Sequence, residues 1–154
     1  MDPATPLQRV EQISVVAVPP VAPPILIVDD DEASRLLIEA SLSARRLVNQ
    51  TVMACDGDEA VRQLQLWLRN ESSAPALVML DWQMPGRSGL EVLRWMREQP
   101  ALQGVPVIML TGMSDVNSIQ DAYSYGAASY LVKPVAFGAL ADVIRGLEQP
   151  WMLL

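Results

Sequence analysis

The chain has 154 residues, of which 51% are hydrophobic and 19% charged, a length and composition that suit one domain with a buried core. Its 11 basic and 18 acidic residues give a formal net charge of −7, which argues against a general nucleic-acid binder. The single cysteine excludes an intrachain disulfide framework and a cysteine-rich zinc site. The lack of histidine excludes Ser-His-Asp and Cys-His catalysis, histidine-ligated metals and a phosphohistidine on this chain.

The most apolar stretch, residues 15–28, predicts neither a membrane span nor an export signal. Prolines at positions 19, 20, 23 and 24 interrupt it. A spanning helix needs about 20 largely uninterrupted apolar residues, and a signal peptide needs a basic start before its apolar segment. We therefore expect a cytoplasmic protein that does not associate with membranes.

The first 24 residues contain half of the 12 prolines. We interpret residues 1–23 as a proline-rich tail or arm, with a short strand at Ile13–Val18 where β-branched residues cluster. Two readings stay open for this segment: a disordered leader, or an arm that packs on a partner subunit.

From residue 25 onward, short apolar runs alternate five times with patterns of helical spacing. The predicted strands are Ile25–Val28, Thr51–Cys55, Leu77–Leu80, Val107–Leu110 and Ser129–Val132. The helices that follow them have their apolar positions within 33–40, 61–68, 90–96, 116–123 and 140–147. Wholly apolar strands that alternate with helices predict an α/β fold, with a parallel sheet covered by helices on both faces.

Three residues next to these elements have structural predictions. We expect Asp31 only to favour the start of the first helix, and Asp58 to be the N-cap of the second. Cys55, at the end of the second strand, is predicted to lie in the core.

Polar residues follow four of the predicted strands. Asp29 and Asp30 follow the first, Asp81 the third, Thr111 the fourth and Lys133 the fifth. Ligands of open parallel sheets bind at the carboxyl ends of the strands, so these side chains are expected to converge. Three convergent carboxylates repel one another unless a hard cation such as Mg²⁺ binds them. With a lysine and a hydroxyl nearby, they predict a site that handles phosphoryl groups.

The order and spacing of four segments resemble those of bacterial response-regulator receiver domains. The segments are ILIVDDDEASR, LVMLDWQMPGRSGLEVL, VIMLTGMS and GAASYLVKP, and the resemblance covers roughly residues 24–148. It implies a CheY-like, flavodoxin-like (βα)5 three-layer sandwich with a five-stranded parallel sheet in the order 2-1-3-4-5.

The resemblance also implies roles for the polar residues. Asp81 matches the aspartate that accepts the phosphoryl group. Asp29 and Asp30 match the acidic pair that holds Mg²⁺ together with Asp81, and Asp30 is expected to be the more direct ligand of the two. Gln83 matches the position whose backbone carbonyl completes the metal site. Lys133 matches the lysine that pairs with the phosphoryl oxygens.

Three further positions match the family's switch and its cis peptide. Thr111 matches the hydroxyl that contacts the phosphoryl group in the active state. Tyr130 matches the aromatic residue that turns inward when that threonine moves. The bond between Lys133 and Pro134 matches a peptide that is usually cis in the family.

The loop after Asp81 departs from the family pattern. Receivers often carry Met and Asp at the positions of Arg87 and Ser88, so Arg87 adds a charge beside the pocket and Ser88 removes one. Gln83 and Met113 match positions that influence the lifetime of the phosphoryl group, and both are uncharged. Trp82, beside the acceptor, is expected to be a partial lid or a contact residue.

The receiver segment accounts for most of the chain, so we expect a single-domain regulator that is not a metabolic enzyme. Its partner would be a sensor histidine kinase. Residues 149–154 form an apolar tail that resembles the ending of regulators that partner bacterial phytochrome kinases. That resemblance implies a homodimer through helix 4, strand 5 and helix 5. Alternatively, Trp151 and Leu153 fold back onto their own domain.

Three other interpretations stay open. The chain could be a receiver cut from a longer protein, or a pseudo-receiver that binds partners without phosphorylation. It could also be a Mg²⁺-dependent phosphatase with an aspartate nucleophile. That last class usually has a second acid two residues after the nucleophile, and this position is Gln83.

Overall fold

The computed structural model describes residues 22–44, 49–70, 74–112 and 116–147. The proposed N-terminal strand, Met113 and the apolar C-terminal tail lie outside these residues. The strands are β1 Ile25–Val28, β2 Thr51–Ala54, β3 Leu77–Asp81, β4 Val107–Thr111 and β5 Ser129–Val132. The helices are α1 Glu32–Ser43, α2 Gly57–Arg69, α3 Gly89–Glu98, α4 Val116–Ser124 and α5 Phe137–Gly146, with a 3₁₀ turn at Pro100–Leu102.

The five strands form one parallel sheet in the order β2-β1-β3-β4-β5, which confirms the predicted fold. Because side chains alternate along a strand, each strand feeds two cores. Leu26 and Val28 point toward α2 and α3, whereas Ile25 and Ile27 point toward α1 and α5. Every residue of β1 and β3 is buried, and for this reason β1 and the first four residues of β3 appear in the sequence as continuous apolar runs.

The prediction for the start of the second helix was wrong by two residues. Asp56 is the N-cap of α2, because its backbone is extended and its carboxylate accepts the backbone N–H of Glu59 at 2.7 Å. Asp58 lies inside the first turn instead. In α1 the cap is Asp31, whose carboxylate accepts the N–H of Ser34, in agreement with the helix-starting role predicted for it.

Cys55 does not lie in the core, contrary to the prediction. Strand β2 ends at Ala54, so Cys55 belongs to the connection to α2 and is exposed. Its backbone N–H donates to the Glu59 carboxylate at 2.9 Å, which ties this connection to the first turn of α2.

Among the described residues, no helix has the length and apolar character needed to cross a membrane.

Candidate functional site

Three carboxylates meet at the carboxyl ends of β1 and β3. The two strands pair with Val28 beside Leu80, so the residues that follow, Asp29 and Asp81, are neighbours across the sheet. Together with Asp30 they place one carboxylate oxygen each within 4.8 Å of one another. Asp29 and Asp81 are buried, at 0% and 4% exposed, whereas Asp30 is exposed. The cluster is therefore open to solvent on the Asp30 side.

Lys133 connects two of these carboxylates. It is the only lysine in the sequence and directly follows β5. Its Nζ lies 2.8 Å from Oδ2 of Asp29 and 3.1 Å from Oδ2 of Asp81. Its backbone N–H donates to the carbonyl of Thr111 at 2.8 Å, and its peptide bond to Pro134 is cis. Burial lowers the pKa of Lys133, but hydrogen bonds to the two carboxylates and their charges outweigh it, so the net pKa is raised.

The acceptor candidate Asp81 has an unusual proton affinity. Burial disfavours its charged form, and the negative charge of Asp29 acts in the same direction. Lys133 opposes both, but the pKa of Asp81 is still raised to about 7. Among the described residues, the cluster has three carboxylates and one ammonium group, which is paired with two of them, so the site is short of positive charge.

The donor set fits a hard divalent cation. Oδ1 of Asp29 accepts the backbone N–H of Asp31 at 2.9 Å. Oδ2 of the same carboxylate is buried and, apart from its ion pair with Lys133, has no hydrogen-bond partner among the described residues. Buried carboxylate oxygens without enough donors, next to an open exposed carboxylate, are the ligands that Mg²⁺ takes while it keeps several waters.

The two residues predicted to form a switch lie on neighbouring strands. Thr111 ends β4, is 6% exposed, and pairs with Val132 of β5. Tyr130 lies two positions earlier on β5 and is half-buried. Its ring meets that of Tyr123 on α4 edge to face, with 6.1 Å between the centroids. In this structure Tyr130 therefore packs against α4.

Gly89, the first residue of α3, has a role at the site that the sequence did not predict. The backbone N–H of Gly89 donates to the carbonyl of Trp82 at 3.0 Å. A Cβ at Gly89 would lie 2.0 Å from the backbone oxygen of Asp81, so only glycine fits here. A glycine at the first position of a helix, where better helix formers are available, was the one sequence signal for this contact.

Ser88 is the N-cap of α3 and accepts the N–H of Glu91, so it has a structural role despite its lack of charge.

A groove of about 200 Å³ lies beside the site. It runs between the start of α1 and the segment after β5, and its lining includes Ser34, Leu37, Lys133 and Pro134. The carboxylate cluster therefore lies next to a mostly apolar groove.

Comparisons with known proteins identify the family. Residues 25–145 match the response regulator receiver domain. The chain is 37% identical over 125 residues to the phosphate regulon transcriptional regulatory protein PhoB of Rhizobium meliloti (strain 1021), an alignment that covers 81% of this chain and 52% of that protein. It therefore spans about half the length of that relative. Response regulator Rcp1 of Synechocystis sp. is 29% identical over 129 residues, with 83% of this chain and 88% of Rcp1 covered.

Solved structures agree with the sequence comparison. The bacteriophytochrome response regulator AtBRR is 33% identical, with a TM-score of 0.76 and coverage of 88% of this chain and 99% of that chain. The bacteriophytochrome response regulator RtBRR is 32% identical, with a TM-score of 0.77 and coverage of 86% and 82%. The resemblance seen in the four sequence segments is confirmed: this chain belongs to the response regulator receiver domain family.

Proposed function

We propose that this chain is the phosphoacceptor switch of a two-component system and accepts a phosphoryl group on Asp81 from a histidine kinase. The observation that carries the proposal is the geometry of Asp81. Its carboxylate lies at the carboxyl end of β3. One of its oxygens is within 4.8 Å of carboxylate oxygens of Asp29 and Asp30, and Oδ2 is 3.1 Å from Nζ of Lys133. This arrangement supplies a nucleophilic oxygen, a set of metal ligands and a cation for phosphoryl oxygens.

In the proposed reaction, a carboxylate oxygen of Asp81 attacks phosphorus in line with the leaving group. The phosphorus–nitrogen bond of the kinase's phosphohistidine breaks, and the imidazole leaves with that electron pair and takes up a proton from solvent. Lys133 moves from its carboxylate partners to the phosphoryl oxygens. Asp29, Asp30, Asp81 and the backbone carbonyl of Gln83 would hold Mg²⁺, which supplies charge that stabilises the transferring group.

We propose that phosphorylation changes the conformation of one face of the domain. Thr111 turns toward the phosphoryl group, which opens space for Tyr130 to leave Tyr123 and move inward. The surface this affects is the face of α4, β5 and α5, where Tyr123 is 46% and Val132 41% exposed. We propose that this face forms the homodimer or binds the target, because large exposed apolar side chains are typical of interfaces.

We further propose a single-domain regulator with a bacteriophytochrome kinase as its partner. Similarity to AtBRR and RtBRR, which are named as bacteriophytochrome response regulators, supports this proposal. The 99% coverage of the AtBRR chain also favours a regulator of this size. A longer protein of the PhoB type, of which the chain spans 52%, is the alternative.

The test is phosphorylation by a small phosphodonor in the presence of Mg²⁺, followed by intact mass. We expect a gain of about 80 Da in the wild type, and no gain in Asp81→Asn. Light scattering of the same samples separates a standing dimer from one that phosphorylation induces. If neither the phosphodonor nor beryllofluoride, a phosphoryl mimic, binds the wild type, the pseudo-receiver interpretation replaces the switch.

A further inference from the structure

The loop between β3 and α3, residues 82–88, is fixed at its base. The hydrogen bond from Gly89 to Trp82 closes the loop at 3.0 Å. The α-carbon of Gly89 also packs directly on the carbonyl of Asp81, where a Cβ would lie at 2.0 Å. The C-terminal end of the loop is therefore in direct contact with the backbone of the acceptor residue.

The tip of the same loop is fixed to a different helix. Nε of Arg87 lies 3.2 Å from Oδ1 of Asp58, in the first turn of α2. The carbonyl of Arg87 packs against Gly57, where a Cβ would lie 2.5 Å from that oxygen. The chain turns at Gly86, whose φ of +74° favours glycine, and a Cβ there would lie 3.9 Å from Oδ2 of Asp58.

We propose that the ion pair between Arg87 and Asp58 is a clamp that positions the metal and acceptor site. Gln83, the proposed carbonyl ligand, lies between the anchored base and the anchored tip of the loop. With both ends held, its carbonyl has a defined direction before a metal arrives, and preorganised ligands bind more tightly. Arg87 and Asp58 are positioning residues here, because neither belongs to the carboxylate cluster. The inference rests on the proposed function, since it concerns the same site.

A clamp and a simple charge effect predict opposite changes in the affinity for Mg²⁺ when Arg87 is removed. If Arg87 acted only through its charge, its removal would leave the acidic site more negative and Mg²⁺ would bind more tightly. Removal of Asp58 would then weaken binding. If the pair positions the loop, either removal frees the tip and weakens binding. The side chains are 35% and 55% exposed, so each effect is modest, about two- to fivefold in Kd.

The experiment is a double-mutant cycle on the full chain, with Mg²⁺ alone as the titrant in calorimetry. The variants are Arg87→Gln, Asp58→Ala and the double variant. Arg62→Gln, which removes a charge from the exposed face of α2 without touching the loop, is the matched control. Melting curves without Mg²⁺ check that each variant folds. A further variant, Gly57→Ala, pushes the loop away without any change of charge.

The expected result is weaker Mg²⁺ binding by a similar factor in both single variants, no additional loss in the double variant, and wild-type affinity in the control. Gly57→Ala, if it folds, weakens binding as well. Opposite shifts that cancel in the double variant, or unchanged affinity in all three, would overturn the clamp while the Mg²⁺ site itself stands. A wild type that does not bind Mg²⁺ would overturn both the clamp and the proposed function.

Discussion

Nζ of Lys133 lies 2.8 Å from Oδ2 of Asp29, a carboxylate with no exposed surface. Apart from this contact, that oxygen has no hydrogen-bond partner in the part of the chain that the structure describes. The ammonium group therefore compensates a buried charge at the site. When Lys133 moves to the phosphoryl oxygens, as proposed, the Asp29 carboxylate depends on Mg²⁺ for positive charge. This relationship links the stability of the fold to the chemistry of the site.

Replacement of Lys133 by methionine should destabilise the protein. The variant leaves the Asp29 carboxylate buried without its cation, and removal of one partner from a buried pair costs about 3 kcal/mol. Mg²⁺ should recover part of this loss, because it supplies the missing positive charge. Urea unfolding with and without Mg²⁺ measures both effects.

The control for Lys133→Met is Arg145→Met, which breaks the exposed ion pair with Asp142. An exposed pair contributes about 1 kcal/mol or less, so this variant should remain close to the wild type. Equal stability losses in the two variants would contradict the role assigned to Lys133.

The affinity for Mg²⁺ should fall as the pH decreases through neutrality. The pKa of Asp81 is about 7 without a metal, chiefly because the carboxyl group is buried. Mg²⁺ binds the deprotonated carboxylate, so protons compete below that pH and binding releases a proton. Between pH 7.5 and pH 5.5 the apparent Kd should rise about 25-fold. Titrations in buffers of different ionisation enthalpy count the released proton, and a constant Kd across this range would contradict the raised pKa.

Gly89→Ala should disturb both the fold and the acceptor. The new Cβ would lie 2.0 Å from the backbone oxygen of Asp81, which cannot give way as a flexible side chain can. We expect a loss of about 3 kcal/mol in the free energy of unfolding, together with weaker Mg²⁺ binding. Gly138→Ala is the matched control, because no atom of the described residues lies within 4 Å of a Cβ there and the residue lies in the first turn of α5. That variant should be as stable as the wild type or more stable by up to about 1 kcal/mol, because alanine has the higher helix propensity. A Gly89→Ala protein as stable as Gly138→Ala would refute the contact.

Thr111→Val should separate phosphorylation from switching. The variant keeps Asp81 and Lys133, so it should still gain the mass of a phosphoryl group. Without the hydroxyl, however, nothing draws the residue toward the phosphoryl group, and Tyr130 should stay against Tyr123. The sequence has three tyrosines, so fluorotyrosine labelling gives three ¹⁹F resonances that can be assigned by substitution.

The readout for this variant is the shift of each resonance on addition of beryllofluoride. In the wild type the signals of Tyr130 and Tyr123 should move, because their rings are in contact. In Thr111→Val they should remain near their starting positions. A full shift of Tyr130 in the variant would show that Thr111 does not control it.

The sequence predicts best those strands in which every residue has the same, buried environment. β1 and β3 are covered on both faces, so burial acts on every residue and produces apolar runs that end where the polar site begins. The errors lie in the connections. Asp56 rather than Asp58 caps α2, because the backbone of Asp56 is extended and its carboxylate reaches the N–H of Glu59. Both residues have the right chemistry for a cap, and only the local backbone distinguishes them.

By itself, the sequence determined the alternation of strands and helices and the identity of the polar residues at the strand ends. In a parallel sheet these ends share one edge, so the order of elements already predicts that Asp29, Asp81 and Lys133 converge. Only the tertiary structure decided which atoms meet: the two carboxylates bridged by Lys133, the close contact of Gly89 with Asp81, and the pairing of Arg87 with Asp58. The Lys133 and Arg87 contacts join residues from different loops, and the Gly89 contact joins the two ends of one loop; the geometry of each depends on how the helices pack on the sheet.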